Sequence, residues 1–226
     1  MTVPVLDNPG LAALTGPHAH LAQRNGSALR YPVDVAPFAA VPDGSARSWA
    51  DLAGLVGPGA AASVAEVGTP PPAGWEVTAE IPCVQLVDDT LAAAPDDEAV
   101  PLGGADVPEM LDLVARARPG PFLPRTIELG AYLGIRRGGR LVAMAGERMH
   151  LPGYTEISAV CTDDAFRGQG LAARLVRAIA AGIRDRDETP FLHVSASNTN
   201  AIRLYERLGF RLRRKIMFVA VTTPAA

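Results

Sequence analysis

The segment that most constrains the fold runs from Asp163 to Arg184, where two glycines lead straight into an amphipathic stretch. Apolar residues recur there at every fourth position, namely Leu171, Leu175, Ile179 and Ile183. Because an α-helix turns once in about 3.6 residues, this spacing predicts a helix with one buried face. The preceding "YTEISAVCT" has the composition of a strand that ends at Thr162. The segment therefore predicts a strand, a glycine turn and a helix in succession.

The turn itself, "RGQG", has a physical use. Gly168 and Gly170 place no side chain over the backbone N–H groups at the start of the helix, and Arg167 adds positive charge beside them. Such a helix start binds phosphate through its free donors and its dipole. The turn lacks the Lys of a P-loop and the third glycine of a dinucleotide fingerprint. The pattern favours a pyrophosphate site, and a purely structural turn is the alternative.

The rest of the second half alternates strands and helices. A helix begins at Asp106 and ends before Pro119, two strands meet at Gly138-Gly139, and a later helix ends at Gly209 before a closing hairpin, "FRLRRKIMFVAV". The first half is rich in Pro and Gly, with short helices predicted near residues 11–23 and 48–56 and a strand at 75–87. The order β-α-β-β-β-α-β-α-β predicts a mixed α/β (α+β) fold. The two halves meet near residues 94–104.

Two segments carry a family resemblance. "FRGQGLAARLV", followed about thirty residues later by "NTNAIRLYERLGF", resembles the signature segments of the GNAT superfamily of acyl-CoA N-acyltransferases. The resemblance covers residues 97–226 and is strongest to the glycine N-acyltransferase-like branch, in which an extra N-terminal half precedes the catalytic domain. It implies a mixed central sheet flanked by helices. Residues 1–96 would extend or mimic that sheet and form a wall on the acceptor side.

The resemblance also implies roles for individual residues. Val160 and Thr162 would pair through their backbone with the pantetheine arm of acetyl-CoA, and Asn198 would reach the cofactor. The pyrophosphate would be held by the glycine turn, residues Arg167, Gly168, Gln169, Gly170, Leu171 and Ala172. Tyr205 would lie near the thioester sulfur, and Glu156 occupies the strand position of a general base. Asp164 stands where the family often has Pro, which places negative charge near the phosphate site.

Acyl transfer to an amine requires a base for the ammonium group and a proton for the leaving thiolate. Strict strand alternation would place Glu156 on one face with Val160 and Thr162, and Cys161 on the opposite face. Glu156 fits the base, and an ion pair with an Arg of the core is the alternative. Tyr205 fits the acid, and an aromatic packed on the sheet is the alternative. Cys161 is expected to be a packed thiol rather than a nucleophile.

Charge is distributed unevenly along the 226 residues, although the net charge is only −3. Residues 1–100 contain 3 basic and 12 acidic residues, and residues 101–226 contain 18 and 12, giving about −9 and +6. This asymmetry favours a polyanionic ligand on the second half and a cationic acceptor beside the first. Solvated surfaces of incidental sign are the alternative.

We therefore expect an N-acetyltransferase that moves an acetyl group from acetyl-CoA to a primary amine of a small molecule, amino acid or peptide. A non-catalytic acyl-CoA sensor or interaction module is the alternative. The sequence indicates no metal and no membrane partner, because its two cysteines and four histidines form no ligand cluster and no segment resembles a signal peptide or a membrane span. Nucleic acid is not expected either, because the one basic cluster, "RLRRK", lies on a predicted strand of a chain that is acidic overall. A cytoplasmic protein is expected, with a homodimer left open.

Overall fold

A computed structural model describes residues 4–65 and 67–225 of the chain. Its centre is one mixed sheet of eleven strands in the order β1-β2-β3-β4-β11-β5-β10-β9-β8-β7-β6. The strands are β1 (Gln23–Asn25), β2 (Ala28–Arg30), β3 (Phe38–Ala40), β4 (Ala61–Ala65), β5 (Glu76–Asp88), β6 (Val100–Pro101), β7 (Tyr132–Arg137), β8 (Arg140–Leu151), β9 (Tyr154–Thr162), β10 (Thr189–Ser195) and β11 (Phe210–Thr222). Neighbouring strands are antiparallel except for the pairs β3/β4 and β9/β10.

Five α-helices within the described residues cover the sheet: α1 (Pro9–Thr15), α2 (Ala46–Val56), α3 (Val107–Ala117), α4 (Leu171–Arg184) and α5 (Thr199–Leu208). Helices α4 and α5 share one hydrophobic cluster with Leu192 of β10, whereas α1 belongs to a cluster that contains the adjacent Phe191. Because successive strand residues point to opposite faces, α1 packs on the face opposite α4 and α5. Helix α3 also packs there, beside Met144, whose neighbour Ala145 faces α4.

The first half of the chain is built into the sheet. Strand β5 lies between β10 and β11, both of which come from the last part of the chain. It pairs with β11 along almost its whole length and with β10 over Cys83–Val87. Strands β1 to β4 extend the sheet beyond β11. The sheet therefore runs across the predicted division at residue 96, and a separate role for residues 1–96 stays a prediction.

The sequence patterns located most elements of the second half. The mixed sheet with flanking helices is confirmed, and α3, α4 and α5 lie where they were predicted, with Gly209 at φ 106° ending α5. The predicted closing hairpin is wrong, because β11 is one continuous strand that pairs with β5 on one side and β4 on the other. The predicted helix over residues 11–23 is also too long, since α1 ends at Thr15.

Candidate active site

Strands β9 and β10 run parallel but separate part-way along their length. They pair only at Thr189 with Tyr154, Pro190 with Thr155 and Phe191 with Glu156. Beyond Glu156, β9 continues to pair with β8 on its other side, and β10 pairs with β5. The β10-facing edge of β9 from Ile157 to Thr162 is therefore open, and its residues line a cavity. Open backbone donors and acceptors can pair with an extended ligand as an added strand would.

A bulge in β9 re-aims the side chains along this open edge. Ala159 has φ 53°, and the pairing of β8 with β9 shifts register between Met144 and Gly146. As a result Ile157 and Val160 both pack in the cluster under α4, although strict alternation would separate them. The predicted single face for Glu156, Val160 and Thr162 is therefore wrong, because one extra residue reverses the alternation beyond it.

The glycine turn, residues 167–172, presents free donors at the start of α4. Gly168 has φ 77° and Gly170 has φ 73°, a region that side chains disfavour, and a Cβ built on either glycine meets nothing within 4 Å. The first backbone N–H of α4 to find a backbone acceptor is that of Arg174, which donates to the Gly170 carbonyl at 3.1 Å. Within the described residues, the N–H groups of 168–173 have no recorded partner. Such donors suit phosphate oxygens.

The acidic residues beside this turn are neutralised. Asp163 is buried, caps the short turn through the Ala165 N–H at 3.1 Å and forms ion pairs with Arg116 and Arg140. These contacts lower the pKa of Asp163, and the backbone hydrogen bond has the largest effect among them. Asp164 is exposed and pairs with Arg167 at 2.7 Å. The two acids therefore leave the turn itself open, although one of them competes for Arg167.

One cavity of about 1020 Å³ connects the turn to the rest of the sheet. One end of this cavity is lined by α4, the open edge of β9 and the start of α5. The opposite end is formed by the first half of the chain and by β11, through Pro37, Phe38, Ser63, Ile81, Cys83, Phe218 and Ala220. The arrangement therefore places two binding surfaces, one rich in backbone donors and one largely apolar, at the ends of the same space.

Tyr205 of α5 lines this cavity and has only 8% of its surface exposed. In the part of the chain that the structure describes, no hydrogen bond to its hydroxyl is recorded, so the phenol is not held by the fold. Burial raises the pKa of Tyr205 to about 12, with a smaller contribution from Cys161. The hydroxyl therefore keeps its proton at neutral pH and can donate it.

Asn198 stands at the N-terminus of α5 and also lines the cavity. Its Oδ1 accepts from the Ala201 N–H at 3.1 Å, which caps the helix and leaves Nδ2 for another partner. Cys161 is buried and free, and burial raises the pKa of its thiol to about 12. A thiol with such a pKa stays protonated and is a poor nucleophile.

Glu156 is fully buried between β8 and β10. Its carboxylate accepts from Arg148 at 2.8 Å (Nε) and 2.6 Å (Nη2), and from His193 Nδ1 at 2.7 Å. Burial opposes ionisation, but the charge and hydrogen bonds of Arg148 and His193 outweigh it and hold the pKa of Glu156 well below its usual range. Glu156 is not among the residues that line the cavity. The ion pair with an Arg, left open from the sequence, is therefore what the structure contains.

His193 and Gln85 complete a buried network with Arg148 and Glu156. The Gln85 Oε1 accepts from Arg213 at 2.8 Å, so its Nε2 is the amide donor, and this atom lies 3.0 Å from His193 Nε2. His193 Nε2 must then accept, and its hydrogen sits on Nδ1 facing Glu156. Sequence reasoning missed Arg148 and Gln85, because only the strand register brings them to Glu156.

The acidic surplus of the first half does not reach the cavity. Of the charged side chains that line it, all are arginines, namely Arg118, Arg148 and Arg167, and no described Asp or Glu is among the lining residues. Acidic residues of the first half pair elsewhere, as Asp7 does with Arg213 and Asp96 with Arg174. The charge asymmetry therefore does not translate into an acidic lining of this cavity, since net charge per half says nothing about where the charges point, and a cationic acceptor beside the first half stays a prediction.

Comparison with known proteins identifies the family to which the chain belongs. Residues 132–219 match the model of a family described as FR47-like protein. A solved structure from Novosphingobium aromaticivorans, described as an acetyltransferase from the GNAT family, is 39% identical. It superposes with a TM-score of 0.90, covering 99% of this chain and 100% of that chain. This chain belongs to the GNAT family. The resemblance found in the two signature segments is thereby confirmed.

Other GNAT relatives differ in how much they share. The N-alpha-acetyltransferase RimI of Mycobacterium tuberculosis is 32% identical over 137 residues, which is 53% of this chain and 85% of that protein. The mycothiol acetyltransferase of Mycobacterium avium is 37% identical over 84 residues, or 33% of this chain. The chain matches only 27% of that relative's length. A GCN5-related N-acetyltransferase from Kribbella flavida, 17% identical with a TM-score of 0.61, shows the same fold over 96% of this chain and 95% of its own.

The described ranges, 4–65 and 67–225, contain neither a metal-site cluster nor a membrane-crossing helix. No group of three His, Cys, Asp or Glu side chains has the arrangement of a metal site there. None of the helices there combines the length and the apolar character that crossing a membrane requires.

Proposed function

We propose that this GNAT protein transfers an acetyl group from acetyl-CoA to a primary amine of a small molecule, amino acid or peptide, by direct attack in a ternary complex. One observation carries the proposal: the glycine turn, the open edge of β9 and the free hydroxyl of Tyr205 all face one cavity. The names of the relatives specify different acceptors, mycothiol and an N-alpha amine, so similarity supports the acetyl transfer without choosing the acceptor.

The residues present suit the cofactor. The free N–H groups of the glycine turn would hold the pyrophosphate, with Arg167 adding charge at the rim. The open backbone at Val160 and Thr162 would pair with the pantetheine arm, and the Nδ2 group of Asn198 is free to donate to the bound cofactor. Acetyl-CoA would supply the activated thioester. Every other contribution to the reaction comes from the chain itself.

Tyr205 is proposed as the general acid. With a pKa near 12 the Tyr205 hydroxyl is protonated at neutral pH, and because the ordinary pKa of a thiol is about 8.5, complete proton transfer from Tyr205 to a free thiolate is uphill. As the carbon–sulfur bond breaks, negative charge develops on the sulfur, and the phenol that lines this cavity stabilises that charge by donating a hydrogen bond. A free hydroxyl without a structural partner suits this role.

Glu156 is proposed to act through Arg148 rather than by touching the amine. Its carboxylate is bonded on both oxygens and lies outside the cavity lining, so it is a weak and inaccessible base. It fixes the guanidinium of Arg148, which does line the cavity. The amine would then lose its proton to water before it attacks.

The sensor alternative is not favoured by this geometry. A protein that only bound acyl-CoA would gain nothing from a tyrosine whose hydroxyl, as far as the described chain shows, has no structural partner beside the open edge of β9. Tyr205 lines the cavity, so a bound ligand can accept a hydrogen bond from its hydroxyl.

Calorimetric titration with acetyl-CoA tests the proposal. Arg167→Glu reverses a charge at the glycine turn, and we expect it to weaken binding roughly tenfold or more, because charge-assisted contacts to phosphate are lost and repulsion replaces them. Arg177→Glu is the matched control: it makes the same charge change on an exposed turn of α4 outside the cavity. Equal effects of both variants, or no binding to the folded wild type, would refute the proposed cofactor site.

A further inference from the structure

The charges that line the cavity are positive, and one of them lies deep. Arg118 and Arg167 are at the exposed rim, whereas the side chain of Arg148 has 11% of its surface accessible. In the described ranges no carboxylate lines this space. A cationic acceptor would meet only like charge here, and an anionic group would meet three guanidinium groups.

Arg148 is held in one orientation by two contacts. Its Nε and Nη2 atoms donate to the two carboxylate oxygens of Glu156, so one edge of the guanidinium is occupied. The guanidinium carbon lies 4.9 Å from the centre of the Phe38 ring, which fixes the plane of the group. A fixed guanidinium loses little entropy when it binds a further group.

The remaining edge of Arg148 is free. No hydrogen bond to Nη1 is recorded among residues 4–65 and 67–225, and the Nη1 and Nη2 atoms together form the second edge on which a guanidinium can bind a carboxylate through two parallel hydrogen bonds. Glu156 balances the charge of Arg148, and so the pair is neutral before a ligand arrives. The free edge is then a donor site of fixed geometry rather than an unpaired buried charge.

The surroundings of this edge are apolar. Phe38 lies against Arg148, and Pro37, Ile81 and Phe218 line the same part of the cavity. These side chains come from strands or loops of the first half and from β11, so they form a surface separate from the glycine turn. A ligand that fits here combines one anionic group with an apolar body.

We propose that the acceptor is a small amine that also carries a carboxylate and an apolar side chain, and that Arg148 binds its carboxylate. This inference rests on the acetyl transfer proposed above and names the acceptor class for that reaction. The free-base amine forms a C–N bond with the acetyl carbon, the C–S bond breaks, and the proton lost from nitrogen is balanced by the proton gained by sulfur. The product is an N-acetylated carboxylic acid.

A matched pair of acceptors tests the proposal. Phenylalanine and phenylalaninamide share the amine and the apolar body, and they differ in the carboxylate. We expect kcat/KM, measured as thiol release from acetyl-CoA, to favour phenylalanine by roughly tenfold or more, the usual size of a charge-assisted hydrogen-bond pair. The amine of phenylalaninamide is the less basic one, so more of it is unprotonated and able to attack at neutral pH. A preference for phenylalanine would therefore run against the intrinsic reactivity of the two amines.

Three variants test whether Arg148 causes the preference for phenylalanine over phenylalaninamide. Arg148→Lys keeps a positive charge for Glu156 but removes the free edge, and we expect it to abolish the preference. Ile81→Glu places a carboxylate on the apolar wall at a side chain that is 42% exposed, which the fold tolerates, and we expect it to reduce the preference at least fivefold. Val77→Glu is the control, since Val77 lies on the same strand, is 44% exposed and is outside this cavity. It should leave the preference unchanged.

The outcomes separate the two proposals. Thiol release with the amide or with a cationic amine as good as with phenylalanine would overturn the acceptor class and leave acetyl transfer standing. Acetyl-CoA binding without thiol release for any amine would contradict the proposed transfer. In that case calorimetric titration of phenylalanine and phenylalaninamide into the CoA-saturated protein still tests whether Arg148 binds the carboxylate. Equal affinities for the two compounds would refute that site.

Discussion

At and behind the cavity wall, Arg148, Glu156, His193 and Gln85 are joined by hydrogen bonds, whereas at the glycine turn and at Tyr205 the donors have no recorded partner in the described chain. The first region, the buried network, uses its hydrogen bonds within the fold, apart from the Nη1 edge of Arg148. The second leaves them for a ligand. The contrast predicts that changes in the network alter stability first, and that changes at the turn or at Tyr205 alter binding or turnover with little change in stability.

Glu156→Gln gives the largest expected effect. The variant leaves Arg148 buried without a counter-charge, and we expect the free energy of unfolding to fall by about 3 kcal/mol, as for other broken buried ion pairs. Urea denaturation at neutral pH measures this loss. A decrease in the free energy of unfolding of less than about 0.5 kcal/mol would contradict the contrast between the two regions, because the buried network would then contribute no more to stability than a surface site does.

The pH dependence of stability tests the contribution of the same Glu156 carboxylate. The pKa of Glu156 is lower in the folded protein than in the unfolded chain, so its contribution to stability is present above the unfolded pKa, about 4.3, and is lost as the pH falls below it. The difference in stability between wild type and Glu156→Gln should therefore be greatest near neutrality and shrink below about pH 4. A constant difference down to pH 3 would contradict this assignment.

Tyr205→Phe should separate turnover from stability. Removing a hydroxyl without a partner should change the free energy of unfolding by less than about 0.5 kcal/mol, while kcat should fall roughly a hundredfold if the phenol is the acid. The pair of measurements is thiol release under saturating substrates and thermal unfolding of the same sample. A lower melting temperature with unchanged kcat would assign Tyr205 to packing alone.

Asp164→Asn gives the smallest expected effect, and it has the opposite sign. The exposed ion pair between Asp164 and Arg167 holds the guanidinium away from a ligand, so its removal should tighten acetyl-CoA binding about threefold. Asp185→Asn, an exposed aspartate at the far end of α4, is the charge-matched control. Weaker binding of Asp164→Asn than of the control would show that Asp164 orients Arg167 for the cofactor.

Local signals in the sequence located the cofactor end of the site. Helix α4 starts where the glycines and the apolar period place it, because positive φ and a four-residue repeat depend only on neighbouring residues. The placement of Asn198 and Tyr205 on α5 follows in the same way. The roles of these residues stay predictions, but their position in one cavity could be expected from the two signature segments.

Other features depend on pairing between distant strands and could not be predicted. The bulge at Ala159 carries no glycine to mark it, and it reversed the side-chain alternation on which the faces of Glu156 and Cys161 were assigned. The pairing of Glu156 with Arg148 arises from the register of β8 and β9. The short strands β1 to β4 have three to five residues each, too few for a period to be recognised.

The position of β5 determines when the middle of the sheet can form during synthesis of the chain. Its two neighbours, β10 and β11, are made last, so the middle of the sheet can close only after residue 222 has left the ribosome. Until β10 has been made, the apolar residues at the end of β5 have no strand to pair with, and the nascent chain exposes an unpaired edge for most of its synthesis. Premature termination before β11 would leave one edge of β5 without its partner strand, and chaperones would have their greatest effect during that interval.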